Sequence, residues 1–415
     1  MRSAGKANGP HPALAHFPVR DGEIHIGGIP LHRLALRVGR TPFYAYDRNL
    51  IAARVQALRA ALPASIGLRY SVKANPMPAL VGHLAALVDG LDVASSGELR
   101  LALDTGTQAR HISFTGPGKS AGELEQAVAA GIVINIESER ELATLSDTCR
   151  RHGMRASVAV RVNPDFEVKT AGMKMGGGAR QFGVDAARVP ALLAQLRAPA
   201  FEFVGLHIFA ASQVLNGTLL AESLKQSYAL ACALADQAPQ PLRSINLGGG
   251  FGIPYFPGES ALDLAPVARQ LEEIAADAAA RFPDAQLHLE LGRYLVGEAG
   301  VYVTRVVDKK HSRGRTFLVT DGGMNHHLAA SGNLGQVIRR NYPVLLGCRM
   351  EQAPLPEPVS VVGPLCSPLD MLADQVLLPE AEPGDLVVVL QSGAYGASAS
   401  PGGFLSHPAV LEVLV

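Results

Sequence analysis

Tryptophan is missing from this chain of 415 residues, and aromatic side chains make up only 5% of it. So sparse a supply excludes a platform on which successive bases stack. Net charge is missing too. The 37 basic residues balance 37 acidic ones, which excludes binding to nucleic acid or membrane by bulk charge while leaving a local basic pocket open. The four cysteines are Cys149, Cys232, Cys348 and Cys366, and none stands in a CxxC pair. Neither a zinc site nor a disulfide framework is therefore expected. No apolar run approaches a membrane span, and the first 21 residues carry basic side chains without the apolar stretch of a secretion signal. The expected location is the cytoplasm, in soluble form.

What the chain does have is 48% apolar residues against 18% charged, enough for a sizeable core and too little charge for disorder. Its 43 glycines and 28 prolines are scattered and read as loop chemistry. The length suits two domains, or one large barrel with an appendage. Short Val/Ile/Leu-rich runs recur at Leu68–Lys73, Gly90–Ala94, His111–Thr115, Ile132–Glu137, Ala156–Val162, Phe203–Ile208, Ser244–Leu247 and Gln286–Leu291, with helical spacing between them. Eight strand–helix units in about 245 residues predict an α/β fold, a (β/α)8 barrel. A doubly wound open sheet has the same rhythm and is the alternative. From about Val296 strands follow one another without helices, at Val301–Val307, Thr316–Thr320, Val359–Val362, Gln375–Leu378 and Leu386–Leu390. The expected organisation is a leader with strands joining the β domain over 1–40, the barrel over 41–295, opening on an edge strand Thr41–Asp47, and an all-β domain over 296–415.

In a barrel the polar residues at the C-terminal ends of strands carry the chemistry. Lys73 closes the first run, where desolvation would make its amine a nucleophile; a snorkelling rim lysine is the competing reading. The seventh run leads into Gly248-Gly249-Gly250, whose amides can close on an anion where barrels bind phosphate; a tight turn would look the same. The eighth ends in Glu290-Leu-Gly-Arg293, a carboxylate and a guanidinium beside that loop. Two patterns are decoys. Gly118-Lys-Ser120 lacks the first glycine of a P-loop, and Asp321 to His327 reads as a loop of hydrogen-bonding histidines, so no metal site is expected. Cys149 and Cys232 fall in helical segments and read as buried small hydrophobes. An amine, a phosphate cradle and a carboxylate on one barrel are the three things pyridoxal 5'-phosphate requires: a lysine for its aldehyde, a seat for its phosphate, and an anion that keeps its pyridine nitrogen protonated.

At these residues the sequence resembles the fold-type III, alanine-racemase-like pyridoxal phosphate enzymes, specifically the diaminopimelate/ornithine decarboxylase family. Tyr70-Ser-Val-Lys-Ala-Asn75 resembles its lysine motif, and Leu91 to Leu99 its second-strand segment, where Asp92 and Glu98 line the site. Gly248–Gly250 and Glu290–Arg293 stand at its phosphate loop and its EPGR, with Leu291 replacing Pro. Gly363-Pro-Leu-Cys-Ser-Pro-Leu-Asp370 and Gly393-Ala-Tyr-Gly396 match two motifs of its β domain. The resemblance implies a barrel and β domain in a head-to-tail homodimer with shared active sites. It implies Lys73, Glu290 and Cys366 as catalytic residues, with Cys366 reprotonating the substrate carbon. Asp92, Phe209, Ser212, Gly248, Gly249, Gly250, Arg293 and Tyr395 join Lys73 and Glu290 around the cofactor. Arg293, Arg339, Arg340, Ser367 and Tyr395 are the expected substrate contacts.

The departures from the family pattern bear on the substrate. Where the family has HxGS, this chain has Phe209-Ala-Ala-Ser212, so Phe209 takes the stacking position, Ser212 keeps the phosphate contact, and His207 stands two residues earlier with no assigned role. The residue after the cysteine is Glu or Asp in enzymes of diamino acids, where it pairs with the distal ammonium; here it is Ser367, with Asp370 three residues on as possible compensation. A buried ammonium without an anion costs on the order of several kcal/mol. Asn325 to Pro343 and the Phe404-Leu-Ser-His-Pro408 tail are similar to a side branch with exosortase-associated, butirosin-type and siderophore decarboxylases, in which Arg339 and Arg340 would hold a carboxylate or a carrier's phosphopantetheine. The resemblance thus implies a lyase, an α-decarboxylase of an L-amino acid conjugated or carrier-linked at its distal end. The alternatives are meso-diaminopimelate, citryl-diaminopropionate, and an amino-acid racemase.

Overall fold

The computed structural model describes residues 11–167, 173–174, 176–334, 336, 338–350 and 356–415. They divide into two compact units, one of 54–253 and 261–294, the other of 1–53, 254–260 and 295–415. No helix among the described residues is long and apolar enough to cross a membrane.

The first unit is the expected barrel. Its strands are β1 (Ile66–Ser71), β2 (Gly90–Val93), β3 (Ile112–Phe114), β4 (Val133–Ile136), β5 (Ala156–Asn163), β6 (Phe201–Ile208), β7 (Ser244–Asn246) and β8 (Gln286–Leu291). Each is parallel to its neighbours; β8 pairs with β1, and β4 with β5, so the sheet closes on itself. The runs are short because strong helix signals interrupt them. Ser95, Ser120, Ser138 and Asn216 each accept a backbone amide at a helix start, Ser120 within a full capping box with Glu123. Gly131 and Gly153 end two helices in the left-handed conformation.

The second unit is built on a sheet ordered Val344–Leu346, Leu386–Val389, Gly300–Ser312, Arg315–Thr320, Glu357–Val362 and Met371–Leu378. One expectation needs correction here. The segment taken as an edge strand opening the barrel lies inside this sheet: Phe43–Tyr46 runs antiparallel to 300–303 and parallel to 411–414, with all four residues buried. The unit boundary accordingly falls after Ala53. The N-terminal strands, expected to join the β domain, form a three-stranded sheet of their own (Val19–Arg20, Glu23–Ile26, Ile29–Pro30) within the same unit. Ile24, Ile26, Leu31 and Leu34 pack into one core with Phe43, Val301, Val303 and Val388, so apolar burial attaches the leader.

Candidate active site

Lys73 lies two residues beyond the end of β1. The strand stops at Ser71, and Val72–Ala74 makes a single 3-10 turn, with the Tyr70 hydroxyl donating to the Asn75 carbonyl. Its side chain is 39% exposed at the strand end. Nζ lies 3.8 Å from Glu290 Oε1 and 5.8 Å from the centre of the Phe209 ring. One amine, one carboxylate and one aromatic face from β1, β8 and the end of β6 thus converge.

Glu290 is held from several sides. The Ser71 hydroxyl donates to Oε1 at 3.0 Å and the Asn246 amide to Oε2 at 3.3 Å. His207 Nε2 stands 3.1 Å from Oε2, near enough for an ion pair but off the line of a hydrogen bond. Burial alone would raise the Glu290 pKa; His207 and Lys73 beside it hold it well below the usual carboxylate range. Asp92, on β2, goes the other way. Burial and repulsion from Glu290 push it up to about 8, although Lys73 and the hydroxyls of Thr115 and Ser113 pull it down. Both hydroxyls donate to Oδ1, leaving Oδ2 buried without a partner among the described residues. The two carboxyls therefore divide their roles, Glu290 ionised and Asp92 holding a proton at neutral pH.

This arrangement fixes the sign of a pH effect. Asp92 binds its proton far more tightly folded than its ordinary value near 3.9 allows unfolded. The stability it contributes is complete below about pH 4 and is lost as pH rises to about 8. Glu290, held low, titrates below that window. Asp92→Asn in the cofactor-free protein is expected to flatten the fall of thermal midpoint between pH 5 and pH 8, with a gain of about 3 °C or more at pH 8. Parallel slopes for both proteins would contradict the assignment.

The glycine loop fits a phosphate. Gly248 and Gly250 have φ of 73° and 92°, the region that disfavours side chains. A Cβ on Gly249 would run into the Glu290 carbonyl oxygen, and one on Gly250 into that of Ala211. Among the described residues no protein acceptor takes the amides of Gly249 and Gly250. The Gln213 side chain secures the loop's far end by bonding both Ile253 backbone groups. Ser212 stands in the short strand Ala211–Ser212 and Arg293 opens the helix following β8, both half-buried. Pyridoxal phosphate therefore fits the residues present: an amine, an ionised carboxylate, an aromatic face and a glycine cradle. Gly249→Ala should cost about 1–3 kcal/mol by overpacking and weaken cofactor binding roughly tenfold or more, read by equilibrium titration; unchanged affinity would remove the loop from the site.

The second unit holds the remaining candidates. Cys366 is an exposed free thiol. The Ser367 hydroxyl accepts the Leu369 amide, and Tyr395 is half-buried with a φ of 53°. Asp370 is only 3% exposed and accepts the amides of Met324 and Leu365, so it fastens its own loop. Arg340 is engaged within its unit, 3.0 Å from Glu259 and 3.8 Å above the Phe256 ring; Arg339 donates to the Met371 carbonyl. His326 and His327 bond the Pro408 carbonyl and the Ser392 hydroxyl, as expected of a hydrogen-bonded loop. Lys119, in the P-loop decoy, is buried against Glu141. Sequence reasoning had no signal for Asn246 or Ser71 as supports of Glu290, and it left His207 without a role; only closure of the barrel brings them to that carboxylate.

Comparison with known proteins identifies a family. The family described as "Pyridoxal-dependent decarboxylase, pyridoxal binding domain" matches residues 48–297. The L-glutamyl-[BtrI acyl-carrier protein] decarboxylase of Niallia circulans is 41% identical over 389 residues, covering 90% of this chain and 88% of that one. The diaminopimelate decarboxylase of Aquifex aeolicus is 33% identical over 405 residues, covering 96% and 92%. Among solved structures, diaminopimelate decarboxylase from M. jannaschii in co-complex with L-lysine superposes with a TM-score of 0.86 at 26% identity, covering 97% of this chain and 93% of that one. With a barrel of this topology, a lysine, carboxylate and glycine cradle that suit the cofactor, and relatives matched along nearly its whole length, the chain belongs to the pyridoxal-dependent decarboxylases.

Proposed function

We propose that this decarboxylase removes the α-carboxyl of an L-amino acid whose distal end is acylated, as a glutamyl group carried by a carrier protein would be. The observation that carries this is the pair Ser367 and Asp370. The serine offers no charge where enzymes of diamino acids place a carboxylate, and Asp370, the nearest replacement, is spent on the amides of Met324 and Leu365. Identity of 41% to an enzyme named for a carrier-linked glutamyl substrate supports the same reading.

When bound, pyridoxal phosphate supplies an aldehyde that a primary amine captures and a ring that accepts the electron pair left behind by carbon dioxide. In the proposed division of labour Lys73 is the resident amine, and Glu290 the anion that keeps the pyridine nitrogen protonated. Phe209 would stack on the ring. Gly248–Gly250, Ser212 and Arg293 would hold the phosphate, and Cys366 would return a proton to the substrate carbon. Asp92 and Tyr395 complete the cofactor's surroundings. Arg339 and Arg340 are the candidate substrate contacts; Arg340 is held by Glu259 and Phe256, and Arg339 by the Met371 carbonyl. A homodimer with shared sites, in the cytoplasm, accompanies this reading. The domain limits proposed with it are those of the two compact units.

Carbon dioxide release separates the substrates. A carrier-linked glutamyl group is expected to exceed free meso-diaminopimelate in kcat/KM by roughly 100-fold or more, the cost of an unpaired ammonium, and Ser367→Glu should narrow the gap. Comparable rates on the free diamino acid would overturn the assignment, and citryl-diaminopropionate is the next conjugate to try.

A further inference from the structure

Barrel interiors of this type are ordinarily filled by layers of bulky branched side chains. This one is not. Toward the N-terminal ends of the strands lies a cavity of ≈310 Å³. Its wall includes Arg69, Ser113, Asn135, Asn246 and His288, and its mouth is formed by Arg110, Arg243 and Gln286, all three exposed. A water takes up about 30 Å³ of liquid, so there is room for an oxyanion of phosphate size together with several waters.

The charge on this wall is unbalanced. Arg69 is 7% exposed, lies on β1 in register with Glu290, and makes no hydrogen bond or ion pair among the described residues. A buried guanidinium that makes no direct bond is costly even with Asp92, Glu290 and Asp89 in electrostatic reach, and five donors in a fixed fork suit a carboxylate or phosphate. Arg110 at the mouth faces the His111 ring, and Arg243 shares its charge with Glu202 at 2.7 Å. No residue lining the cavity is a carboxylate. Nδ1 of His288 and Nδ1 of His207 are likewise buried without a hydrogen-bond partner among the described residues, whereas His207 Nε2 faces Glu290.

We propose that this cavity is a binding site for a small oxyanion, a phosphate or a small carboxylate, held by Arg69 and entered past Arg110 and Arg243, separate from the cofactor's phosphate cradle. Ser113 and Asn246 line the cavity and also donate to Asp92 and Glu290, so an anion there would be felt by both active-site carboxyls.

The test uses enzyme saturated with pyridoxal phosphate, so that the glycine cradle is filled. Calorimetric titration with inorganic phosphate at constant ionic strength, with malonate as a second arm, should give one saturable site per chain, and the tighter arm identifies the anion class. Arg69→Met should weaken that site at least tenfold and Arg69→Lys less. Arg110→Gln, a change at the exposed mouth, should weaken it several-fold and serves if the Arg69 variants do not fold. No saturable binding of either anion, or binding left unchanged by the variants that fold, would overturn the proposal.

Discussion

Replacing Lys73 with alanine is expected to lower decarboxylation by at least about 10³-fold, in line with removal of a covalent catalytic group. Loss of fold would not explain such a result. Lys73 is 39% exposed on a one-turn segment, and its ion-pair partner Glu290 keeps Ser71, Asn246 and His207. The thermal midpoint should therefore change little, whereas carbon dioxide release disappears and the cofactor becomes removable by dialysis. A variant that keeps more than about a tenth of the activity would mean that another amine serves.

Glu290→Gln carries the second largest effect. The amide keeps the shape and accepts the Ser71 hydroxyl, but it cannot supply the negative charge that holds a pyridine nitrogen protonated. A fall in kcat of about 10²–10⁴-fold is expected, the range associated with a misplaced catalytic proton. A second readout tells an electrostatic role from a merely structural one. Repulsion from Glu290 is among the causes that push Asp92 up to about 8, so the variant should move the Asp92 titration downward, as carboxyl-labelled NMR would show. Unchanged activity together with an unchanged Asp92 titration would contradict the coupling of the two groups.

The parts of this molecule legible in the sequence are those that local chemistry writes. The eight barrel strands show as short apolar runs because serine caps, an asparagine cap and C-terminal glycines punctuate the helices between them. Gly248–Gly250 is visible because only glycine tolerates both the positive φ and the approach of the Glu290 and Ala211 carbonyls. What was hidden depends on partners distant in the chain. Phe43–Tyr46 reads as an edge strand until the pairings with 300–303 and 411–414 are known. The proton on Asp92, the contact of His207 with Glu290 and the occupation of Arg340 by Glu259 and Phe256 exist only once the fold has closed. Arg69 is the extreme case. An alternating strand suggests which residues face inward, yet nothing in the pattern indicates a guanidinium buried beside a cavity without a direct ion pair.

The most direct measurement is to load the protein with pyridoxal phosphate, reduce it with borohydride so that the cofactor is fixed to whichever amine holds it, and map the label by mass spectrometry. The account predicts a single modified peptide, with the label on Lys73. A label on another lysine, or none at all in protein that releases carbon dioxide, would contradict it.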